Sequence, residues 1–100
     1  MKKIMVLFDF PGATTKQYDD AWTDITAAGH EHPKGLLSHA GAPTPNGDLM
    51  VVDVWESEQH FKDFGTVLMP IIQKIGLGDV KPTILPVHKF LVQEHMEEMV

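Results

Sequence analysis

The chain contains neither cysteine nor arginine. Without cysteine there is no disulfide, no thiolate metal site and no nucleophilic thiol. The eight basic residues are all lysine and stand against fourteen acids, for a formal charge of −6. Arginine's planar fork is the usual bidentate grip on phosphate and carboxylate, so nucleotide, nucleic-acid and anionic-lipid partners are not expected. Long hydrophobic runs are missing too. The opening stretch MKKIMVLFDF is cut off by Asp9, Pro11 and Gly12, too early for a signal segment or a membrane span. The expectation is a cytoplasmic protein with no membrane partner.

What is present is enough for one core. A length of 100 residues with 43% hydrophobic content predicts a single domain over 1–100, with its core at about 3–92 and a tail at 93–100. Lys3 to Phe10 reads as a strand with Ile4, Val6, Phe8 and Phe10 on one face and Met5, Leu7 and Asp9 on the other. Pro11-Gly12 ends it, and Thr14 or Thr15 can cap a helix reaching to Gly29, with Tyr18, Ala21, Trp22, Ile25 and Ala28 as its apolar stripe. GLLSHAGA (35–42) and Leu49 to Trp55 are expected to pair as a hairpin around Asn46-Gly47. Ser57 then caps a second helix carrying Phe61, Phe64, Leu68, Ile71, Ile72 and Ile75, which Pro70 should kink or split. Lys81 to Val92 resumes strand character, and Pro82 and Pro86 argue for a sheet edge.

The order strand, helix, strand, strand, helix, strand predicts an α+β fold. Right-handed crossovers close it as a four-stranded antiparallel sheet in the order 4-1-3-2, with both helices on one face. The first and third strands are apolar on both faces, so the face without helices needs a cover, and a second copy of the chain is the candidate.

In this arrangement VVDVWESEQHFKDF, preceded by GLLSHAGAPTPNGD and followed by PVHKFL, resembles the dimeric alpha/beta-barrel superfamily, specifically the small antibiotic-biosynthesis-monooxygenase-like proteins. The resemblance runs from Met5 to Val92 and implies a ferredoxin-like protomer whose sheet packs against that of a second copy. It implies a reaction class only loosely, since the superfamily includes cofactor-free oxygenases, haem-degrading monooxygenases and lactone isomerases. The haem-degrading branch places a tryptophan and a ligating histidine on the second helix. Here the matching aromatic is Phe64, and no histidine lies between Phe61 and Ile75, so neither haem nor any other cofactor is expected.

Six histidines are available. His39 and His88 lie in strand-like segments, and Asp9 and Asp53 interrupt otherwise apolar strands. If a histidine and an aspartate share the helix-facing side, the carboxylate can orient the imidazole as a general base; otherwise all four are structural. Ser38 and His39 point to opposite faces and cannot form a nucleophile and base pair. His30 and His32 flank Glu31 without a third ligand, and no metal site is expected. Tyr18, Trp22, Trp55 and Phe64 are candidates to line a site for a small apolar ligand, or are core. The reading is a homodimeric small-molecule-binding protein, either a cofactor-independent monooxygenase or isomerase acting on an aromatic or lactone-like ligand, or a non-catalytic binding or stress-accessory protein.

Overall fold

The structure is a computed structural model that describes residues 2–78 and 80–93. The elements are β1 (Ile4–Phe10), α1 (Thr15–Ala27), β2 (Leu36–Pro43), β3 (Leu49–Trp55), α2 (Glu58–Lys74) and β4 (Thr83–Pro86). The strands form one antiparallel sheet in the order β2-β3-β1-β4, which is the expected 4-1-3-2 read from the other edge.

Alternation along the strands builds the core. Ile4, Val6, Phe8 and Phe10 of β1 lie opposite Trp55, Asp53, Val51 and Leu49 of β3, and all eight are buried. Phe61 and Ile72 of α2 pack into this cluster, with Tyr18 of α1 at its margin. Burying an apolar side chain of this size contributes about 1.5 to 3 kcal/mol, so this one face carries most of the hydrophobic stabilisation.

Local chemistry sets the helix ends. Thr14 and Gln17 form a capping box, the Thr14 hydroxyl accepting from the Gln17 amide at 3.1 Å while Gln17 Oε1 accepts from the Thr14 amide at 2.9 Å. Ser57 Oγ accepts from the His60 amide at 3.2 Å and caps α2. Gln17 Nε2 donates to the Ile75 carbonyl at 3.1 Å, tying the start of α1 to the end of α2.

One expectation is narrowed and another corrected. Pro70 does not split α2, which continues to Lys74. The ring forfeits one backbone bond, and Pro70 lies on the exposed side of the helix, where water can serve the freed carbonyl. The last strand is only Thr83–Pro86, because Pro82 and Pro86 bracket it without donors; one further bond, Val87 N to Lys3 O at 3.0 Å, follows before the chain leaves the edge. His88 is thus outside the strand, in a bend. His95 and the rest of the expected tail from residue 94 lie outside the described residues. Among the described residues no helix is long and apolar enough to cross a membrane.

Candidate active site

Register decides which polar residues meet. In β2 and β3 His39 pairs with Asp53, and Asp53 pairs across β1 with Val6, so both side chains stand on the face covered by the helices. His39 Nδ1 and Asp53 Oδ1 are 2.5 Å apart, and the second carboxylate oxygen accepts from Trp55 Nε1 at 3.3 Å. Trp55 is two residues beyond Asp53 on the same face, which lets one strand supply both the carboxylate and its indole donor. Asp53 is 6% exposed. A carboxylate so removed from water persists only with its oxygens engaged, and here both are.

The other imidazole nitrogen meets α1. Tyr18 Oη lies 2.5 Å from His39 Nε2. With Asp53 accepting from Nδ1–H, Nε2 carries the lone pair and the tyrosine hydroxyl donates to it, so protons are ordered from phenol to imidazole to carboxylate. Burial raises the Tyr18 pKa above its ordinary value; Trp22 offsets part of the rise, and the charges of Asp53 and Asp19 add to it. The phenol is therefore the resting form at neutral pH. The imidazole is also held by rings: that of Tyr18 stacks at 5.9 Å between centroids, and Trp22, one turn further along α1, meets it edge-on at 5.0 Å.

These groups open onto a cavity of about 60 Å³ between sheet and helices. Tyr18, Trp22, His39, Asp53, Trp55 and Phe64 all line it, with Phe8, Phe10, Ile25, Val51 and Leu68 among the apolar remainder. All four aromatic candidates are thus at the cavity, together with His39 and Asp53. The other two polar candidates are elsewhere. Asp9 alternates onto the helix-free face and is exposed, and His88 is exposed beside Lys2, Lys3 and Phe90. Neither reaches the His39–Asp53 pair. Among the described residues no cluster of three or more metal-ligating side chains forms.

Gly41 belongs to the site and is absent from the candidates drawn from sequence. It follows His39 by two residues on the same face, and a Cβ there would meet the Tyr18 ring at 2.8 Å and its hydroxyl at 3.1 Å. The signal was a glycine inside a strand, which often marks a close approach by another group.

No family model matches the chain, and no curated protein does. Solved structures do. SnoaB, a cofactor-independent oxygenase from Streptomyces nogalater, superposes with a TM-score of 0.68 at 12% identity, over 93% of this chain and 100% of that one. A monooxygenase from the gene ActVA-Orf6 of Streptomyces coelicolor, in complex with nanaomycin D, gives 0.65 at 17% identity over 93% and 94%. A dimeric ferredoxin-like protein of unknown function from Thermobifida fusca gives 0.59 at 18% identity over 86% and 92%. The chain therefore has a ferredoxin-like α+β fold, which it shares with these proteins.

Proposed function

We propose that Asp53, His39 and Tyr18 form the proton-transfer site of a cofactor-independent enzyme, monooxygenase-like or isomerase, acting on a small apolar aromatic or lactone-like ligand. The observation that carries this reading is a carboxylate–imidazole–phenol chain, buried at Asp53 and partly buried at His39 and Tyr18, ending at an otherwise apolar, aromatic-lined cavity. The oxygenase and monooxygenase activities of two proteins of the same fold support it. In the proposed step the phenol oxygen takes a proton from an acidic C–H or O–H of the ligand as its own proton passes to Nε2. Asp53 keeps its charge and stabilises the imidazolium. The enolate or phenolate so formed then isomerises or is handed to dioxygen.

The protein is proposed to act as a homodimer in the cytoplasm, the helix-free sheet face being covered by that of a second copy. Its apolar residues, Met5, Leu7, Met50 and Val52, remain partly exposed in the single chain, and dimeric ferredoxin-like proteins share the fold.

A second reading has its own observation: among the described residues no buried side-chain nitrogen or oxygen lacks a hydrogen-bond partner. A fully satisfied network suits a non-catalytic binding protein with structural histidines. Deuterium uptake separates the two. Beta-tetralone has a C–H flanked by an aryl ring and a carbonyl, and its exchange in D2O is followed by NMR. The enzyme reading expects faster exchange with the protein and about a hundredfold loss of that acceleration in His39→Gln. No acceleration by the intact protein favours the binding reading.

A further inference from the structure

The inner cavity is too small for the ligand just proposed. A dry cavity of roughly 150 Å³ is what takes up a benzene, against about 60 Å³ here. A second cavity of about 160 Å³ lies against the segment between α1 and β2 and the first half of α2. Phe64 lines both cavities, as a partly buried ring tilted against Trp55 at 5.4 Å between centroids. It is the residue the two linings share.

The two cavities differ in chemistry. The inner one has aromatic walls, whereas the outer one carries His30, Lys34, His60 and Asp63. Asp63 already accepts from Gln59 Nε2 at 2.8 Å. His60 holds Ser57 Oγ through Nδ1 at 2.7 Å, which leaves Nε2 as its second polar atom, 4.0 Å from a half-exposed Glu56 carboxylate. Lys34 has no ion-pair partner among the described residues. The ring of His60 is seated where Gly35 leaves room: a Cβ at that position would come within 2.4 Å of it. The outer cavity is thus lined by a lysine without an ion-pair partner among the described residues and by an oriented imidazole, with one carboxylate, Asp63, already engaged by Gln59.

We infer that the two cavities are halves of one elongated ligand site divided by Phe64, and that the outer half takes the anionic end of an aromatic carboxylate at Lys34 and His60. The inference rests on the inner cavity being a ligand site, as proposed above, and adds the class of ligand. Phe64 is then a specificity-determining wall: the ring end of the ligand displaces it, and the carboxylate stays outside, away from Asp53.

The test is calorimetric titration with naphthylpropionate and its neutral amide, which differ in little but charge. The intact protein should bind the carboxylate about fivefold more tightly, Lys34→Gln should remove the difference, and Phe64→Leu should tighten both ligands while leaving their ratio. Equal binding of the two ligands, binding of neither, a preference that survives Lys34→Gln, or a Phe64→Leu variant with unchanged affinities would each overturn the inference. Its failure is distinguishable from failure of the base reading, because the carboxylate preference should persist in His39→Gln, whereas proton exchange should not.

Discussion

The two faces of the sheet solve opposite problems. The face under the helices is mostly hydrocarbon, yet holds a carboxylate that is 6% exposed. The helix-free face meets solvent in the single chain, yet presents Met5, Leu7, Met50 and Val52. A charge kept in a core costs stability unless partners surround it, and apolar side chains kept at a surface bury nothing until a partner arrives. The first departure points to chemistry and the second to assembly, and both arise on β3 through simple alternation of its side chains.

Three experiments break or sharpen that contrast. Asp53→Ala has the largest expected effect: it strands His39 Nδ1 and Trp55 Nε1 on the covered face and should cost about 3 kcal/mol in urea unfolding. A cost under about 0.5 kcal/mol would mean that the carboxylate is an ordinary surface group. Val52→Lys makes the matching change on the other face. It should weaken dimerisation about a hundredfold, seen as a fall in light-scattering mass to that of one chain at micromolar concentration, with the circular dichroism of the fold retained. A monomeric parent protein would remove the assembly half of the comparison.

The smallest effect is the titration of the single tyrosine, followed by ultraviolet absorbance. Its midpoint in the folded protein should lie above that of the denatured chain, since burial and the charges of Asp53 and Asp19 disfavour the phenolate. The raised folded-state value means that the native chain holds this proton longer than the unfolded one. Stability from this group is complete below the ordinary phenol pKa and is lost as pH rises from there through the folded value. Coincident midpoints would place Tyr18 in water.

Much of the architecture was legible because it rests on alternation and punctuation. Ile4 through Phe10 and Leu49 through Trp55 have a period of two, and the capping threonine and serine mark the helix starts. The site was legible as a set of residues but not as a constellation. Asn46-Gly47 as a two-residue turn would pair His39 with Val54 and turn the histidine's partner to the other face. The hairpin instead closes Thr44 N on Asp48 O at 2.8 Å over the longer loop 44–48, which brings His39 opposite Asp53. That shift of one residue is beyond turn propensity to decide. The apolar run PVHKFL looks strand-like, yet the ladder with β1 covers only Thr83–Pro86, and after one more bond from Val87 N to Lys3 O the chain leaves the edge.

The aromatic residues around His39 have a practical consequence. The chain has one tyrosine and two tryptophans, and Tyr18, Trp22 and Trp55 all line the same cavity. Every strong near-ultraviolet chromophore in the molecule is therefore a wall of the candidate site. Its intrinsic fluorescence is a built-in reporter, able to register occupancy of the cavity without any label.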